Sequence, residues 1–62
     1  MKCFVIKDRV IFIDKLTYLS AVNDLTGSKI VFHFVDGTTF PIFFENQESL
    51  MTWIENPTIK TL

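Results

Sequence analysis

The sequence predicts an α+β fold: a four- to five-stranded antiparallel sheet in meander order, with one C-terminal helix packed on one face. Three observations predict it. Short runs of β-branched and aromatic residues recur along the chain, separated by turn residues. Asp36-Gly37 stands between two apolar runs, the strongest short-range hairpin signal there is. One stretch alone, "ENQESLMTWIE", carries helical spacing, and a proline follows it.

The elements follow in order. Cys3 to Ile6 and Val10 to Ile13 are strand runs, and "KDR" between them supplies a tight turn. Asp14-Lys15 makes a polar break before "LTYLSAV", a third strand candidate. There Leu16, Tyr18, Ser20 and Val22 would share one face, with Thr17, Leu19 and Ala21 on the other. The Leu and Ala content would permit a helix at this point, but Thr17, Tyr18 and Val22 favour strand. "NDLTGS" reads as a loop by composition.

Residues 29–44, "KIVFHFVDGTTFPIFF", hold five of the seven phenylalanines and read as the central hairpin. Two registers are open to it. A two-residue loop pairs Val35 with Thr38. A three-residue loop with Gly37 left-handed, a G1 bulge, pairs Phe34 with Thr38 instead. The second puts Ile30, Phe32, Phe34, Phe40, Ile42 and Phe44 on one face. Lys29, Val31, His33, Thr39, Pro41 and Phe43 then lie on the other. It segregates polarity better, and register follows the buried face. Pro41 has no N–H to give a neighbour, so its strand belongs at an edge or carries an irregularity there.

For the helix, Asn46 serves as N-cap and Glu48 sits in the first turn, where the helix dipole favours negative charge. Leu50, Met51 and Ile54 make an apolar stripe beside Trp53. Asn56 can cap the end, and Pro57 forbids continuation. The tail "TIKTL" is expected to be loosely held. The whole, residues 1–62, makes a single domain.

A chain this short buries only ~60% of its unfolded surface and is marginal alone. Cys3 is the only cysteine and His33 the only histidine. An internal disulfide is therefore excluded, and a closed zinc site, which needs four such ligands, is not expected. No cofactor is implied. An apolar core and partner subunits remain as sources of stability, and a composition 48% hydrophobic and 15% aromatic suits both. The apolar runs are too short for a signal segment or a membrane span, so a cytoplasmic location is expected. A net charge of −1 gives no field toward nucleic acid or anionic lipid.

The helix stripe can cover the face of Ile30 and Phe32, but it cannot also cover Val31, His33, Val35, Pro41 and Phe43. Two coverings are open. The sheet can curl, SH3-like, so that the N-terminal hairpin covers them. Otherwise a second chain or a ligand does, because exposed apolar patches of that kind mark interaction sites. The second is preferred, with a homo-oligomer as the expected state.

Chemistry is thinly represented. His33, with Asp36 and Thr39 nearby, could serve as a general base, but it lacks a second catalytic group. A strand histidine hydrogen-bonded to a neighbour is the stronger reading. The aspartates lie in predicted turns, where backbone reasons explain them. "DLTGSK" lacks the spacing and helix of a phosphate loop. A base-stacking platform would set its aromatics among basic residues, whereas the Phe-rich strands carry Lys29 alone. Trp53 fits either a partner anchor or a lid on the sheet.

The succession "FIDKLTYLSAV", loop, "KIVFHFVDGTTFPIFF" and "ENQESLMTWIE" resembles the first part of a LytTR-type domain. It is also similar, in size and hairpin-then-helix order, to the short FlbD-like proteins. The resemblance covers roughly residues 11–56 and implies a strand–hairpin–helix fold. LytTR domains bind DNA through basic residues in their later part. Those residues have no counterpart here, so DNA binding is not carried over.

The function expected is that of a small non-catalytic binding module, self-associating through its sheet and acting on a partner protein, as accessory proteins and phage-type inhibitors do. Two alternatives stand beside it. One sequesters an anionic or nucleotide-like ligand at a subunit interface, walled by His33, Tyr18 and Phe43 with Lys29 or Arg9. The other is a nucleic-acid-binding sheet.

Overall fold

The computed structural model describes residues 1–62. In chain order it holds β1 (Lys2–Ile6), β2 (Arg9–Phe12), a 3₁₀ turn at Ile13–Lys15, β3 (Leu16–Asp24), β4 (Gly27–Phe34), β5 (Thr39–Phe44), α1 (Gln47–Glu55) and β6 (Ile59–Thr61). The strands form two three-stranded antiparallel sheets, ordered β2-β1-β6 and β3-β4-β5, rather than the single meander expected. The break falls at the 3₁₀ turn, where Ile13–Lys15 ends one sheet before Leu16 opens the next. No helix is long and apolar enough to cross a membrane.

The β4–β5 hairpin takes the three-residue loop. Val31 lies opposite Pro41, Phe32 opposite Phe40 and His33 opposite Thr39. The Phe34 N–H donates to the Thr38 carbonyl and the Gly37 N–H to the Phe34 carbonyl, both at 3.0 Å. Gly37 is left-handed, with φ +90°, as the bulge requires. Asp36 secures the corner by accepting from the Thr38 N–H at 2.9 Å and its hydroxyl at 2.6 Å.

Three expectations are corrected. "NDLTGS" is not an open loop: β3 runs through Asp24, Leu25-Thr26 form a two-residue turn, and β4 starts at Gly27. Asp24 accepts from the Thr26 N–H and hydroxyl, repeating the Asp36–Thr38 arrangement. The tail is not loose either, since Ile59–Thr61 pair with β1 and the terminal residues exchange hydrogen bonds. Leu16 does not share a face with Tyr18. The register shifts between them, so Leu16 lies opposite Phe34 and Leu19 opposite Phe32. An extra residue, Thr17, turns Leu16 back to the core side.

The core joins both sheets and the helix. Ile6 and Ile11 from the N-terminal hairpin, Ile30, Phe32 and Ile42 from the second sheet, and Leu50 from α1 form one buried cluster. Phe4 and Trp53 pack against it, their rings 5.4 Å apart. Asn46 caps α1 by accepting from the Ser49 N–H at 2.8 Å. The N-terminal hairpin and the helix therefore cover the same face of the β3-β4-β5 sheet. The expected alternative, in which the hairpin curls over the second face, is not what forms.

Candidate functional site

The uncovered face is built by strand alternation. With the registers above, Tyr18, Ser20 and Val22 of β3 line up beside His33, Val31 and Lys29 of β4, and these beside Thr39, Pro41 and Phe43 of β5. Tyr18 is 56% exposed and Phe43 53%. Val31, His33 and Lys29, on the central strand, are half-buried by their neighbours. The result is a shallow apolar and aromatic surface with Lys29 as its one cation.

Its side chains are ordered among themselves. The Tyr18 and His33 rings stack, with centroids 4.0 Å apart and planes 11° off parallel. Nε2 of His33 and the Ser20 hydroxyl share a 2.8 Å hydrogen bond. Lys29 Nζ lies 5.5 Å from the centre of the Phe43 ring, a cation–π contact between paired residues of β4 and β5. His33 is thus a strand histidine held by a neighbour. Asp36, considered as its catalytic companion, spends its carboxylate on Thr38. Both hairpin aspartates are held below the ordinary 3.8, first by the hydroxyl of the threonine two residues on, then by its backbone N–H.

Of the residues named from sequence, Val31, His33, Pro41 and Phe43 come together on this face, with Tyr18 and Lys29 among them. Val35 does not belong to it. That residue opens the β4–β5 loop, 67% exposed, with its N–H donating to the Lys15 carbonyl at 3.0 Å. Arg9 sits at the β5 margin, in a hollow shared with Pro41 and Phe43. Its guanidinium stacks 5.3 Å from the Phe40 ring, and Phe40 packs against the core. The wall of Tyr18, His33 and Phe43 therefore has Lys29 beside Phe43 and meets Arg9 only at its Phe43 end, and none of the surface hollows is lined by Tyr18, His33 or Lys29. Trp53 is a lid on the core rather than a free anchor, its ring 6.4 Å from Phe32 and 6.5 Å from Phe44.

Sequence reasoning passed over Ser20 and Val22, which complete the face. The alternation of "LTYLSAV" placed them beside Tyr18, and only the pairing partner was missing. Comparison with known proteins adds no relative: no protein-family model, no curated protein and no solved structure matches the chain.

Proposed function

We propose that this chain is a small non-catalytic binding module that self-associates through its sheet and presents the face of Tyr18, Val31, His33, Pro41 and Phe43 to a partner protein. One observation carries the reading. Both the helix and the N-terminal hairpin are spent on one side of the β3-β4-β5 sheet, so two large aromatics on the other side stand half exposed. Contiguous apolar surface of this kind marks a protein interface. Flat aromatic faces with a polar tip suit protein partners, because Tyr supplies contact area at low entropic cost. The one imidazole is engaged at its ring face by Tyr18 and at Nε2 by Ser20, which favours a structural role over proton transfer.

The test is a photo-crosslinking amino acid at position 43, compared with one at Leu25 in the β3–β4 turn. Crosslinks to a discrete protein from position 43, abolished by Val31→Ser and absent from position 25, are the expected result. No crosslink at 43 above that at 25 would refute the face as a binding surface. Thermal-shift scans across nucleotides address the sequestering alternative, for which a clear stabilisation would be required.

A further inference from the structure

The β3-β4-β5 sheet has two outer edges, and they are treated differently. Phe34 bonds to Thr38 and Gly37 across the β4–β5 hairpin, so alternation turns the backbone groups of Phe32 and Ile30 toward β5 as well. Those of His33, Val31 and Lys29 then face β3. Opposite them, Tyr18, Ser20 and Val22 use theirs on β4. On β5, Thr39, Pro41 and Phe43 point outward, and that edge is closed. Pro41 has no N–H, the Phe43 carbonyl is taken by Lys7 Nζ, and Lys7, Asp8 and Arg9 line a hollow with Phe40 to Phe43. Proline and lysine are the devices by which sheet edges are kept from pairing.

The β3 edge has none of these. Leu19, Ala21 and Asn23 turn both N–H and C=O outward, and no hydrogen bond reaches these backbone groups. The nine residues of β3 contain no proline and no lysine, and their only charge is Asp24 at the end. An apolar hollow lined by Leu19, Ala21, Ile30 and Ile54 lies directly inside this edge.

We propose that the occupant of the β3 edge is a second copy of this chain, paired antiparallel to itself about a two-fold axis at Ala21. The self-complementarity is on the strand. With Ala21 opposite its own copy, Leu19 meets the copy's Asn23 and Asn23 meets the copy's Leu19. All three outward residues then form bonded pairs, about six hydrogen bonds in all. On the open face Ser20 meets Val22 and Tyr18 meets Asp24, so no like charges oppose each other. A two-fold at Leu19 would bring the Thr17 bulge into the ladder, and one at Asn23 would run into the Leu25-Thr26 turn. The pairing fuses two sheets into one of six strands, adjoins the two Ile54 hollows across the small Ala21, and doubles the open face. It deepens the self-association stated above and rests on that reading, naming the edge through which it occurs.

The experiment is light scattering on a sizing column from about 1 μM to about 1 mM, with Ala21→Pro and Phe43→Ser beside the wild type. Ala21→Pro removes an outward N–H and no bond to β4. The expected result is a dimer mass for the wild type and Phe43→Ser, and at least a tenfold weaker dimer for Ala21→Pro. A dimer that survives Ala21→Pro but is lost in Phe43→Ser would overturn the edge and leave self-association through the face. A wild type monomeric throughout would overturn both. Because Ala21→Pro could fail to fold, amide exchange of the wild type supplies an independent reading. The Leu19, Ala21 and Asn23 amides must exchange slowly at high concentration and quickly on dilution, and rapid exchange at all concentrations refutes the pairing.

Discussion

Gly37 goes with the register in which β5 pairs with β4, and its handedness can be tested with a pair of mirror-image substitutions. Its φ is +90°, and a Cβ added there would meet nothing within 4 Å. Substitution therefore reports on backbone conformation without a steric clash to confuse it. An L-residue held left-handed costs roughly 1–2 kcal/mol, so Gly37→Ala should destabilise by that amount. For a domain of this size each kcal/mol shifts Tm by roughly 4–8 °C, which puts the expected loss at about 4–16 °C. D-alanine at the same position has positive φ as its natural state. It should stabilise by about 0.4–1 kcal/mol, because it restricts the unfolded chain and strains nothing in the folded one. The chain is short enough for chemical synthesis, and thermal unfolding followed by circular dichroism reads both variants. Equal shifts from the L- and D-forms would refute the left-handed bulge. With it would go the register that sets Phe40 and Ile42, rather than Thr39, Pro41 and Phe43, on the face of Phe32, since a slip of one residue exchanges the faces of β5.

Other outcomes follow from the same packing. Phe32 is fully buried, so Phe32→Ala should cost about 3–5 kcal/mol; a chain of this length has only about 3–9 kcal/mol of stability in total, and the variant should lose at least about a third of it by urea titration followed by circular dichroism. Phe43→Ser, on the open face, should stay within about 0.5 kcal/mol of the wild type in urea titration. The Trp53 indole N–H is buried without a partner, a group whose desolvation costs about 1–3 kcal/mol. Trp53→Phe removes that donor while keeping a ring, and should fall within about 1 kcal/mol of the wild type where Trp53→Ala loses about 3 kcal/mol or more. The lowered pKa values of Asp24 and Asp36 mean that their contribution is present above 3.8 and is lost as pH falls through the still lower folded values. Carboxyl NMR titration should place both below 3.8, and Thr26→Val and Thr38→Val should each raise the neighbouring aspartate alone.

The legible parts of the fold were those set by local chemistry. Asp36-Gly37 and the segregation of phenylalanines were enough for the β4–β5 register, and Pro41 for its place at an edge. The N-cap Asn46 and the stop at Pro57 bounded α1 closely. What could not be read depends on partners distant in sequence. Nothing in "TIKTL" says that β1, more than fifty residues earlier, will take it as a third strand. Turn composition in "NDLTGS" hid how few residues the turn needs, because Asp24 and Thr26 satisfy each other and Gly27, with φ +131°, resumes the strand at once. The face was legible by alternation except where Thr17 adds a residue, and a single insertion reverses every residue before it. Arg9 is grouped with Lys29 in sequence because either cation could meet an anionic ligand. Their separation follows from how the N-terminal hairpin docks, which no local pattern encodes.

The choice of which face to cover has an energetic consequence that links stability to association. Sixty-two residues provide one helix and one small sheet to place against β3-β4-β5, and both go to the side that holds Ile30, Phe32 and Ile42. Splitting them, hairpin on one face and helix on the other, would leave both faces thinly covered and neither core closed. Concentrating them buries Phe32 and Leu50 completely and leaves Tyr18, Val31 and Phe43 to solvent. A module built this way gains stability from whatever binds its folded state, by an amount that rises with the logarithm of ligand concentration over Kd and reaches about 2.7 kcal/mol at a hundredfold excess. Against a total of about 3–9 kcal/mol, that is a large fraction. Under the proposed edge pairing, the first such gain is made at the bare β3 edge, the β5 edge being closed. Pairing at β3 uses backbone groups, consumes none of the aromatic face, and leaves Tyr18 and Phe43 available to a second partner. An arrangement in which copies met face to face would stabilise the fold equally well but would bury the surface proposed for partner binding, so association and partner binding would compete. Edge pairing lets them add, and the sign of that coupling is measurable: Tm should rise with protein concentration in Phe43→Ser as it does in the wild type, and a loss of that dependence would place the subunit contact on the face instead.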